Sequence, residues 1–99
     1  MIRLIVGATL SMVLGAGAVA QQPIVIGQTI ATTGSLAEHG RGLVLGARAH
    51  FAQVNSAGGI RGRAIELRTL DDGGDGARAA ANTSTLASDP AVLVIFSGA

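Results

Sequence analysis

The 99-residue sequence predicts an α/β fold, a parallel sheet made by a β-α-β-α-β chain with strand order 2-1-3. Three observations carry this expectation. Short apolar runs near residues 24–30, 64–68 and 91–96 have strand character, and the two segments between them have helical periodicity with helix-start signals. The last run is apolar without interruption, which suits a parallel strand covered by helices on both faces.

Taken in order, Ile24-Val25-Ile26-Gly27-Gln28-Thr29-Ile30 is β-branched, short, and bounded by Pro23 and the small polar run Ala31 to Ser35. Ser35-Leu36-Ala37-Glu38 fits a capping box, so a helix is expected from there to about Asn55. Leu36, Leu43, Ala47, Phe51 and Val54 form its apolar stripe, with Arg41, Arg48 and Gln53 mostly opposite. Gly40, Gly42 and Gly46 each cost a helix about 1 kcal/mol relative to Ala, so close approach of another backbone is expected there. Ala57-Gly58-Gly59 stops the helix and Ile60-Arg61-Gly62-Arg63 turns the chain. Ala64-Ile65-Glu66-Leu67-Arg68 alternates apolar and charged residues, as an edge strand with one wet face does. After the loop Asp71-Asp72-Gly73-Gly74, Asp75 can cap an Ala-rich helix ending near Ser88, and Asp89-Pro90 closes it. Ala91 to Phe96 is the third strand.

With the first strand central, ligands of such a sheet bind beyond the carboxyl ends of the strands, near the point where strand order reverses. Three loops qualify: Ala31 to Gly40, Asp71 to Asp75, and Ser97 to Ala99. The chain stops three residues after its most hydrophobic strand, before any helix that could cover it. The expectation is the front of a longer protein, marginally stable alone, because a core this small rarely contributes more than about 3 to 5 kcal/mol.

Composition narrows the function. Zero Cys removes disulfide frameworks and thiolate zinc sites. Without Trp or Tyr, and with only two Phe, few rings are present to stack on bases, so a nucleic-acid surface is not expected. Residues 1–20 read as a secretory signal peptide. Arg3 is the positive n-region, Leu4 to Leu14 the apolar core, and Ala18-Val19-Ala20 the small-x-small site, with cleavage expected before Gln21. The competing reading, a membrane anchor, is weakened by short length and by Gly7, Gly15 and Gly17, since a span needs roughly 20 predominantly apolar residues. The formal net charge of +1 comes from Arg3; beyond residue 20, six Arg balance six acids, so no charged partner is implied. The expected location is the periplasm.

The run Thr33-Gly34-Ser35-Leu36-Ala37-x-x-Gly40, then Gly46-Ala47, Asn55-x-Ala57-Gly58-Gly59-Ile60-x-Gly62-Arg63, Ile65-Glu66-Leu67 and Asp71-Asp72-x-x-Asp75 resembles the N-terminus of type 1 periplasmic binding proteins. It is most similar to the leucine/isoleucine/valine-binding group of ABC-transporter substrate-binding proteins. The resemblance spans residues 24 to 96, and its specific part is the Asn-x-Ala-Gly-Gly-Ile-x-Gly turn followed by a strand and Asp-Asp. It implies two α/β lobes closing on a small solute such as an amino acid or related carboxylate or amide, with delivery to an inner-membrane ABC permease. Residues 21–99 would be the incomplete N-terminal part of the first lobe, with no enzymatic activity and no cofactor. In relatives the position held here by His39 is often a Tyr or Trp lying against the ligand. The loop that begins at Ser97-Gly98 usually holds the ligand carboxylate. Two positions depart from the pattern. His39 replaces the aromatic, with less apolar area and a polar contact, and Asp75-Gly76 replaces the usual Asp-Pro helix start.

On the residues alone each of these candidates has a plainer alternative. His39 is a ligand contact or a solvated histidine at a helix start; Ser97 is a carboxylate-binding hydroxyl or a turn residue. His50, beside Ala49 and Phe51, is read as structural. The acidic stretch Asp71 to Gly76 invites calcium, but it lacks alternate oxygen ligands and a terminal Glu in register, so capping and loop solvation are favoured and no metal is expected. Gly40-x-Gly42-x-x-x-Gly46 suggests a dinucleotide enzyme as the competing class, yet these glycines begin ten residues after Ile30 rather than in the turn after the strand. A sensor or regulator on the same fold is the other alternative. No Ser-His-Asp, Cys-His or paired-carboxylate constellation stands out.

Overall fold

The computed structural model describes residues 21–97. The signal-peptide reading, with Ala18 and Ala20, lies outside the described residues, as does Gly98. The described elements are β1 (Ile24–Ile30), α1 (Ala37–Ser56), β2 (Ile65–Asp71), α2 (Gly76–Ala87) and β3 (Val92–Ser97). The three strands form one parallel sheet in the order β2-β1-β3, as the element pattern predicts. β1 pairs with β2 from Ile24 opposite Ile65 to Ile30 opposite Asp71. It pairs with β3 from Val25 opposite Val92 to Thr29 opposite Ser97, with an irregularity between Val25 and Ile26.

Strand alternation assigns the faces. Gly27 and Thr29 point toward α2: a Cβ on Gly27 would lie 3.1 Å from both Leu86 methyls, and Asn82 Nδ2 donates to Thr29 Oγ1 at 3.2 Å. Ile30 points the other way, toward Gly40 of α1. The two helices therefore cover opposite faces. Val25, Ile30, Ala31, Ile65 and Leu86 are the buried apolar residues, and Leu86, only 2% exposed, fills the space that Gly27 leaves. Gln28 and Thr29 are buried polar residues on β1; Gln28 Oε1 accepts from Thr69 Oγ1 at 3.1 Å across to β2.

Local expectations fail in three places. The capping box does not form: Ser35 lies before the helix, Leu36 occupies the N-cap position without a side-chain cap, and the Ala37 N–H is taken by the Gly34 carbonyl at 3.2 Å. A backbone turn has replaced the serine oxygen. The inward stripe of α1 is also rotated, with Leu43 exposed and Val44 half-buried in its place beside Ala47, Phe51 and Val54. Of the three helix glycines, only Gly40 meets another backbone; Gly42 and Gly46 face open space.

Elsewhere the signals act as read. Gly59 has φ +72°, its N–H donates to Val54 O, and a Cβ there would overlap the Arg63 carbonyl, so only glycine suits this helix stop. Ile60 and Arg63 then exchange backbone bonds of 2.8 and 3.0 Å around the Arg61-Gly62 turn. Asp75 caps α2, accepting from Ala77 N at 3.1 Å. β2 is an edge strand, and its half-buried Arg68 pairs with Glu66 at 3.0 Å and with Asp89. β2 runs three residues beyond Arg68, to Asp71. α2 packs on β3, and Leu93 and Val94 remain exposed.

Candidate functional site

The loops that follow β1 and β2 enclose a cavity of about 180 Å³ at the carboxyl edge of the sheet. Ile30 and Ala31 from the end of β1 and Leu36, His39 and Gly40 from the start of α1 form one side. Asp72, Gly74 and Asp75 from the β2–α2 loop, with Gly76 and Ala79 of α2, form the other. Gly40 is what lets α1 begin so close to β1: its backbone lies against the Ala31 carbonyl, where no side chain fits.

The acids at this edge are engaged by protein donors. Asp72, 7% exposed, accepts from Thr29 Oγ1 and from the Gly74 N–H, both at 2.9 Å. Asp75 is occupied by its capping bond. Asp71 stands just outside the lining and reaches across to the β1–α1 loop. Its Oδ1 accepts from Thr32 N at 2.8 Å, Thr33 N at 3.2 Å and Gly73 N at 2.9 Å, and its Oδ2 from Thr33 Oγ1 at 2.6 Å. The Thr33 hydroxyl and then these backbone N–H groups hold the Asp71 carboxyl far below the usual carboxylate range, against a smaller opposing effect of desolvation. With the carboxylates thus satisfied, the cavity presents mainly apolar wall, with the His39 imidazole at its margin.

His39 sits in the first turn of α1, exposed and lining the cavity. Ser97 lies elsewhere: it ends β3, exposed, opposite Thr29 on the other side of β1, and does not line the cavity. The structure thus separates the two, one on the β2 side of the central strand and one on the β3 side, where strand order reverses. Gln21, the residue after the expected cleavage site, is exposed. His50 is exposed on α1 with its ring 6.0 Å from that of Phe51. Two of the loops singled out from the sequence, Ala31 to Gly40 and Asp71 to Asp75, line the cavity; sequence reasoning missed Ile30 as a wall and Asp71 as a bridge. The available signal was turn chemistry: in Asp-Asp-Gly-Gly each Asp can accept the N–H two residues on, as both do here.

The family model described as "Periplasmic binding protein" matches residues 23–99. Among solved structures, the chain is similar to a putative branched-chain amino acid ABC transporter protein from Rhodospirillum rubrum, with 26% identity and a TM-score of 0.75. That match covers 78% of this chain and 22% of the other. The branched-chain amino acid transporter substrate-binding protein of Streptococcus pneumoniae, solved in complex with isoleucine, is 34% identical with a TM-score of 0.69, over 74% of this chain and 21% of that one. A fatty acid ABC transporter substrate-binding protein from Thermomonospora curvata is 30% identical with a TM-score of 0.71, over 78% and 19% of the two chains. The chain therefore spans about a fifth of the length of these structures. No curated protein matches it. The family match over residues 23–99, on a 2-1-3 parallel sheet shared with these neighbours, makes this chain a member of the periplasmic binding protein family.

Proposed function

We propose that the whole protein is the extracytoplasmic solute-binding component of an ABC transporter, and that residues 21–99 are the opening part of its first lobe. The observation that carries this reading is the cavity at the carboxyl edge of the sheet, with apolar walls and His39 at its margin, in a chain of this family. Its walls suit a small solute with an apolar portion, such as an amino acid or a related carboxylate or amide; the isoleucine-bound neighbour and the fatty acid transporter neighbour support that range. His39 contacts the solute from the first lobe. Ser97, the last residue of β3, offers a hydroxyl for a carboxylate, and Gly98, next in the sequence, is proposed to share that role.

Binding is differential. The solute touches both lobes only when they are closed, so it shifts the open–closed equilibrium, and an inner-membrane permease reads the closed form. Residues 1–20 direct export and are removed before Gln21, which leaves the protein in the periplasm. Calorimetric titration of the full-length protein with a panel of L-amino acids, amides, small carboxylates and fatty acids tests the reading. Saturable binding of one panel class is expected. Silence across the panel would overturn it.

A further inference from the structure

We propose that Asp71 is a positioning residue for the solute site, its single carboxylate tying the β1–α1 loop to the β2–α2 loop and thereby fixing where His39 and Leu36 stand. This rests on the reading above that the edge between those loops takes the solute. Asp71 is the last residue of β2, already paired by its backbone with Ile30, so the strand does not need its side chain. The side chain turns instead to the neighbouring loop and takes four donors there and in its own loop: Thr32 N, Thr33 N, Thr33 Oγ1 and Gly73 N. Its main-chain oxygen accepts from Asn82 Nδ2 at 3.0 Å and Arg78 Nη2 at 3.2 Å, which anchors the same residue to α2.

The two loops so joined are in contact. A Cβ on Gly34 would lie 3.0 Å from the Gly73 carbonyl oxygen, and one on Gly74 would lie 3.6 Å from Leu36 Cδ1, a cavity wall. Only an ionised carboxylate has the two acceptor oxygens needed for four converging donors, and charge assistance strengthens each bond. Asparagine keeps one acceptor oxygen and turns an amide N–H₂ toward the Thr33 hydroxyl. Alanine keeps neither.

The experiment uses the full-length protein as wild type, Asp71→Ala and Asp71→Asn. Amide hydrogen exchange without ligand and calorimetric titration with L-isoleucine as probe are both measured. In Asp71→Ala, exchange of residues 32–40 and 73–77 should rise together by about tenfold while the amides of β1 and β3 stay near wild type, with Asp71→Asn intermediate. L-isoleucine affinity should fall by about tenfold in Asp71→Ala and partly recover in Asp71→Asn. A rise confined to Gly73 and its neighbours, or a uniform rise across the whole sheet, would overturn the proposal, the second because it would make Asp71 a general stability residue. Unchanged affinity beside loosened loops would also overturn it. Failure of the wild type to bind any member of the solute panel would instead sink the solute reading, and the exchange pattern would still decide whether Asp71 ties the loops.

Discussion

Gly40 of α1 lies against Ala31 just beyond β1 so closely that a Cβ on Gly40 would overlap the Ala31 carbonyl oxygen, with Ile30 Cγ1 at 3.5 Å. The obstacle is backbone, which cannot swing aside as a side chain does. Gly40→Ala should therefore destabilise the full-length protein by about 1–3 kcal/mol or more, since overpacking outweighs a helix-propensity gain of up to about 1 kcal/mol. Gly46, in the same helix with open space around it, gives the control: Gly46→Ala should stabilise by roughly 0.5–1 kcal/mol. Urea unfolding of both variants checks the opposite signs, and equal signs would refute the close-approach argument.

Asn55 substitutes for a neighbouring strand. Its Nδ2 donates to Ile65 O at 2.9 Å and its Oδ1 accepts from Ile65 N at 2.7 Å, so both backbone groups at the start of β2 are satisfied on the side away from β1. Asn55→Ala leaves both unpaired next to the buried Ile65 and should cost about 1–3 kcal/mol. Asn55→Asp, which keeps the acceptor and loses the donor, should also destabilise. Urea midpoints of the two variants provide the test, and wild-type values would show that water replaces the amide without penalty.

How far the sequence could be read depends on which forces are local. β1 and β3 are legible because short β-branched and apolar runs favour strands, and the helix stop at Gly59 and helix start at Asp75 because turn and cap chemistry lies within a few residues. The choice between Leu43 and Val44 as the inward residue of α1 is not legible, because it depends on where Gly40 lets the helix touch β1. Ser35 fails as a cap for a similar reason: the Gly34 carbonyl reaches the first helical N–H instead. At the site, the position of His39 follows from strand order and helix start, whereas the bridging role of Asp71 depends on Thr32 and Thr33, 38 or 39 residues away along the chain.

The same bridge sets an acid limit. Hydrogen bonds depress the Asp71 pKa in the folded protein below its unfolded value, so the unfolded state binds the proton more readily. Its stabilising contribution is thus fully present above the unfolded carboxyl pKa of about 3.9 and is lost as pH falls from there through the folded value. Stability measured from neutral pH down toward pH 2 should decline more steeply in wild type than in Asp71→Asn, and the two curves should run parallel at neutral pH. Parallel curves on the acid side as well would mean that Asp71 is not preferentially ionised in the folded state.

His39 is the side chain on which the solute reading can be tested without disturbing the fold. It is exposed, on the first turn of α1, and its wall of the cavity is otherwise backbone and aliphatic surface. His39→Ala should leave the unliganded melting temperature within a degree or two, as exposed substitutions away from caps and cores change stability by less than about 0.5 kcal/mol. Affinity for the bound solute should fall several-fold, which corresponds to about 1 kcal/mol of lost contact. His39→Tyr restores aromatic area at the same place, so for a solute with an apolar side chain it should match or exceed wild type, whereas for a polar solute that bonds the imidazole it should not. Titrations of the three proteins with one solute therefore report both whether His39 touches it and which part of the ring matters; identical affinities would return His39 to the role of a solvated helix residue.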